Sequence, residues 1–157
     1  MIGRWITNVR RARWWVKALD LTSKSQFEQA LHYADLVECH LDGAVGEVSK
    51  YDIYCKLLKG FLLGSLKRNE EALEVLAAVQ RDILRVGFMT DELKYLRCYG
   101  AVLGHEAMRS IPAKRLPSHA ESLLKVDYEN VDLAKVLSNV KRTFPLRFHP
   151  LWKESNR

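Results

Sequence analysis

Lys59-Gly-Phe-Leu-Leu-Gly64 and Tyr99-Gly-Ala-Val-Leu-Gly104 decide how this chain is read. They stand 40 residues apart and carry two glycines at the same spacing. Upstream, Val16-Lys-Ala-Leu-Asp-Leu21 matches at an offset of 42, with Ala18 in the place of Gly60. A small residue in mid-helix lets a neighbouring helix approach closely. After the first two copies an alanine follows twelve residues later: Ala18 to Ala30, and Gly60 to Ala72. Two small residues at fixed separation are what an antiparallel helix hairpin needs.

Working outward, the whole chain has helical periodicity. Helices are expected over about 5–21, 26–41, 49–67, 69–86, 91–107 and 118–126, with a last one over 129–142. Ile6, Val9, Trp14, Ala18 and Leu21 form the apolar side of the first. Phe27, Ala30, Ala34, Val37 and Leu41 form that of the second. The third is apolar around most of its circumference, so it is expected to be buried on more than one side. Ala72, Leu76, Val79, Ile83 and Val86 line the fourth, and Leu93, Leu96, Gly100, Leu103 and Ala107 the fifth. Ser25-Gln-Phe-Glu28 and Ser118-His-Ala-Glu121 have the spacing of capping boxes. Asp42-Gly-Ala-Val-Gly46 and Arg68-Asn69 read as turns, and Gly87 as a left-handed cap. Pro112 and Pro117 mark a connector. No stretch alternates as a strand does. The expected fold is all-α: a single domain over 1–142, then an extended tail over 143–157 containing Pro145 and Pro150.

Composition agrees with that class. The 157 residues are 48% hydrophobic and 28% charged, enough apolar matter for one core and too much for a disordered chain. Lys56, Lys59 and Lys67 interrupt the longest apolar run, so neither a membrane span nor a transmembrane dimer through Gly60-xxx-Gly64 is expected. The net charge of +6 is unevenly spread. Residues 1–23 hold five basic and one acidic residue, 24–92 eight and twelve, and 93–157 twelve and six. Basic ends around an acidic middle let one surface attract an anionic partner while another repels it. Cys39, Cys55 and Cys98 lie far apart in apolar helical runs, as buried, reduced thiols of an intracellular protein do. The expected compartment is the cytoplasm. The alternative is the mitochondrion, because the Arg-rich start carries no acid before Asp20.

The repeated residues resemble the tetratricopeptide repeat family. Trp14, Ala18, Leu21, Phe27, Ala30 and Ala34 carry the likeness in one unit, Gly60, Leu63, Ala72, Leu76 and Val79 in the next, and Leu96, Gly100 and Leu103 in a half unit. The likeness covers about residues 10–110. It implies a short α-solenoid of two to three antiparallel hairpins, followed by the C-terminal helices and the tail. The chain departs from the family in three ways. The spacing is 40–42 residues where the family has about 34. No proline closes each unit. Pro112 stands where the third unit should place its alanine, which displaces the second helix there to 118–126 around Ala120. The other reading of the same residues is a non-repetitive helical bundle.

The resemblance implies a non-catalytic adaptor or assembly subunit. Its partner segment, a peptide or helix of another protein, would lie in a groove lined by the first helix of each pair. In that register Trp15, Tyr54, Phe61, Lys94, Arg97 and His105 face or flank the groove. The competing reading of the three aromatics is core. Leu19 and Phe61 replace the asparagines with which chaperone-binding members grip a terminal carboxylate, so that clamp is not expected. Arg10, Arg11 and Arg13, beside Trp14 and Trp15, form a basic patch. It suits an acidic protein, or alternatively nucleic acid or an anionic membrane surface. Lys141, Arg142, Arg147 and Lys153 form a second basic set among Phe144, Phe148 and Trp152. No nucleophile turn, phosphate loop or dinucleotide fingerprint is present, and the five histidines form no ligand pattern. No enzyme activity, metal or cofactor is expected. The sequence leaves the oligomeric state open.

Overall fold

Apolar stripes spaced three and four residues apart bury themselves by pairing helix against helix. The computed structural model describes residues 2–39, 50–86, 91–118 and 120–125. It is all-α, with no strand among the described residues. Six helices occur among the described residues: α1 (Ile2–Ser23), α2 (Phe27–Cys39), α3 (Lys50–Ser65), α4 (Asn69–Arg85), α5 (Asp91–Arg109) and α6 (Ala120–Leu124). A 3-10 turn at Ala113–Arg115 precedes the last. Each helix packs on its chain neighbour, and in addition α3 packs on α5 and α4 on α6. The expected turn at 42–46, the cap at Gly87, the helix over 129–142 and the tail over 143–157 lie outside the described residues.

The first two hairpins close through the same turn. After α1 the Gln26 amide donates to the Leu21 carbonyl at 2.9 Å and the Ser25 amide to Thr22 at 3.1 Å. After α3 the Arg68 amide donates to Leu63 at 2.9 Å and the Lys67 amide to Gly64 at 3.1 Å. Both are Schellman closures, and their central residues, Ser25 and Lys67, have left-handed φ of 59° and 63°. They lie 42 residues apart, like Ala18 and Gly60. Ser25 is therefore the residue that ends α1. It does not cap α2, whose first turn is closed by the Ala30 amide on the Gln26 carbonyl at 3.0 Å. The two roles compete for one backbone conformation, and chain reversal takes it.

Glycines mark where side chains of the next helix enter. A Cβ on Gly60 would lie 2.5 Å from Leu76 Cδ2, so this leucine of α4 occupies the space a side chain would fill. A Cβ on Gly104 would lie 2.7 Å from Leu124 Cδ1, the same arrangement between α5 and α6. Gly100 instead faces the preceding pair, with Leu57 Cδ2 at 3.2 Å and Gln80 Nε2 at 3.1 Å from its notional Cβ. Gly64 meets nothing within 4 Å. The sequence match pairs Gly60 with Gly100, whereas the contacts pair it with Gly104. Ala18, Gly60 and Gly104 each stand five residues before the end of their helix. The connector with Pro112 and Pro117 delays the second helix, and buried Ala120 leads it as expected.

The stripe read along α1 divides in two. Ala18, Leu21 and Thr22 are buried, and Trp15 and Leu19 pack against the core. Val9 lies on the opposite side of the helix from Ala18 and is half-exposed. Thr22 can be buried because its hydroxyl donates to the Ala18 carbonyl at 2.7 Å. In α3, Ile53, Leu57, Leu58, Leu62 and Leu63 are all buried, as expected of a helix enclosed on several sides. The apolar stripes expected of α4 and α5 are buried too, apart from half-buried Val86.

Candidate functional site

The expected groove residues divide by helix. On α3, Tyr54 is 6% and Phe61 5% exposed, so both are core residues. Phe61 stands edge-on to Phe27 of α2, with ring centroids 6.2 Å apart. Trp15 on α1 is half-buried against the same core. On α5, Lys94 is exposed while Arg97 and His105 are half-exposed. Surface accessible to a partner is thus cationic on α5, whereas Tyr54 and Phe61 are interior. Beneath Arg97, fully buried Gln80 donates from Nε2 to the Arg97 carbonyl at 2.9 Å. Gln80 Oε1 and Arg97 Nε are buried with no hydrogen-bond partner among the described residues.

Ion pairs tie α3 to both neighbours. Lys59 reaches back to α2, where it meets Asp35 at 2.9 Å and Glu38. Lys56 reaches forward to Asp82 of α4 at 2.5 Å. Burial works to lower the Lys59 pKa, but the hydrogen bonds it donates to Glu38 and Asp35 and their negative charges outweigh it, and the net direction is upward from 10.5. Nearby, the Cys55 thiol donates to the Ala34 carbonyl at 3.4 Å. Burial, helped by Glu38, pushes this thiol up to about 12. The Cys98 thiol is also raised by burial. Neither cysteine has the lowered pKa of a thiolate nucleophile. Both are free and buried.

The basic patch on α1 also divides. Arg10 and Arg13 are exposed, whereas Arg11 is half-buried and engaged in a contact. Lys17, exposed and one turn beyond Arg13, continues the outward row. Sequence reasoning left it out, although the i, i+4 spacing from Arg13 signalled it. Val16, between Arg13 and Lys17 on the outer side, is 64% exposed. Among the described residues no cluster of His, Cys, Asp and Glu suits a metal ion, and no helix is long and apolar enough to cross a membrane.

The fold and these surfaces define an all-α protein of mutually packed helices with cations displayed on α1 and α5. No protein-family model matches the chain, and neither a curated protein nor a solved structure is significantly similar to it.

Proposed function

We propose that this chain is a non-catalytic adaptor or assembly subunit, a short tetratricopeptide-like solenoid that binds a segment of another protein. The observation that carries the reading is the pair of hairpins α1–α2 and α3–α4, closed by the same turn 42 residues apart. Repeated hairpins stacked on one another hold a surface rigid, and a rigid surface pays less ordering entropy on binding. Filling of the α3 side by Tyr54 and Phe61 moves the proposed contact toward Lys94, Arg97 and His105 of α5. Such a row suits a segment with acidic residues.

A second reading, binding to nucleic acid or to an anionic membrane, is favoured by the exposed row Arg10, Arg13 and Lys17. The captured species separates the two. Affinity capture from the native source at about 50 mM salt, analysed by mass spectrometry, should retain a stoichiometric protein partner, and its contact with Lys94 and Arg97 should weaken toward about 200 mM. A Lys94→Glu/Arg97→Glu chain should lose that partner. Recovery of nucleic acid or lipid alone, lost at the higher salt, would refute the adaptor.

A further inference from the structure

Helix α1 has a second apolar face. Its first face, with Trp15, Ala18, Leu21 and Thr22, is turned into the protein. On the opposite side Val9, Ala12 and Val16 follow one another at spacings of three and four. Val9 is half-exposed, and Ala12 and Val16 are exposed. Positions 9, 12 and 16 have the a/d spacing of a coiled-coil seam. Arg13 flanks the seam directly, with Arg10 and Lys17 next to it. These three cations form no ion pair among the described residues.

We infer that the outer face of α1 is a docking seam for an acidic amphipathic helix of a partner protein. This rests on the adaptor reading and names the chemistry of its partner. Three features select that occupant. A stripe of small residues such as Val9, Ala12 and Val16 lets a helix come close, whereas partition into a bilayer draws on a broad face of large ones. A second copy of α1 is disfavoured, because pairing two would set Arg10, Arg13 and Lys17 against their own kind. Residues 1–19 contain five basic residues and no acid, so the complementary rim is glutamate or aspartate.

The test uses the full chain and a labelled heptad peptide of about 21 residues, with leucine at a and d and glutamate at e and g. A twin peptide carries lysine at e and g. Fluorescence anisotropy should show binding of the acidic peptide alone. Val16→Glu and Arg13→Glu should each weaken it at least about tenfold. Both positions are exposed, so circular dichroism and Tm should match the parent. Leu84→Glu, an exposed substitution on α4, should change nothing. Equal binding of both peptides, or undiminished binding by Val16→Glu, would overturn the seam. So would binding only to vesicles of phosphatidylcholine and phosphatidylserine, or a dimer of the parent chain that Val16→Glu dissolves. If Val16→Glu leaves peptide binding undiminished while capture from the native source still recovers a protein partner that Lys94→Glu/Arg97→Glu loses, the adaptor stands and the seam alone fails.

Discussion

Gly60 and Gly64 are one helical turn apart and face opposite fates. Gly60 is filled by Leu76, so Gly60→Leu overpacks the α3–α4 contact and should cost about 1–3 kcal/mol, seen as a lower Tm. Gly64→Ala meets no neighbour and gains helix propensity, so it should raise stability by about 0.5–1 kcal/mol. An unchanged Tm for Gly60→Leu would mean the crossing is not packed. Cys55 gives a pH-dependent expectation. Its thiol ionises near 9.0 when the chain is unfolded and near 12 when folded. The unfolded state therefore loses its proton first, and stability that is complete below pH 9 declines as pH rises toward 12. The decline attributable to Cys55 is at most about 4 kcal/mol. Urea titrations of Cys55→Ala between these pH values should show a shallower fall than the parent. Lys59, whose pKa is also raised, keeps its own contribution until above 10.5 in both proteins.

The two hairpin turns place Ser25 and Lys67 in a conformation that favours glycine. Ser25→Gly and Lys67→Gly should each stabilise the chain by about 0.5–1 kcal/mol in denaturant melts. A loss of stability would show that the side chains contribute more than the backbone strain costs. The helix α6 is short, and fully buried Leu124 seats it on Gly104. Leu124→Ala should cost about 2–4 kcal/mol and free the helix first, so limited proteolysis should cut near 113–118 before any other described segment. Persistence of the connector at the parent's rate would mean α6 is held by other contacts. The α1 face division follows from element geometry too. Val9 and Ala18 both satisfy a loose apolar stripe, but nine residues along a helix is two and a half turns, which places them on opposite sides.

In the molecule as a whole, the exposed cations of α1 stand outside the ion pairs that tie α3 to its neighbours. Arg10→Glu/Arg13→Glu reverses two exposed cations, so its Tm should stay within about 0.5 kcal/mol of the parent in equivalent stability. Arg11 is best left intact, because it is half-buried and makes a contact. Binding of labelled single-stranded DNA or of anionic vesicles, if it occurs, should vanish in this variant and should fall steeply between about 50 and 200 mM salt in the parent. Retained binding would remove the N-terminal row from that reading.

The helical class, the order of the described helices and most of the α3–α5 core were legible from spacing alone, because burial of a stripe follows directly from its period. Ala120 at the head of the displaced last helix was legible as well, from the two prolines that forbid an earlier start. Three things were settled by how the helices meet. Ser25 could cap α2 or end α1, and its backbone could do only one. Gly104 took the place assigned to Gly100, since the register of a contact depends on where the connector delivers the next helix. Tyr54 and Phe61 became core because α2, α4 and α5 pack around α3, and an apolar ring suits a groove or an interior equally until its neighbours are known.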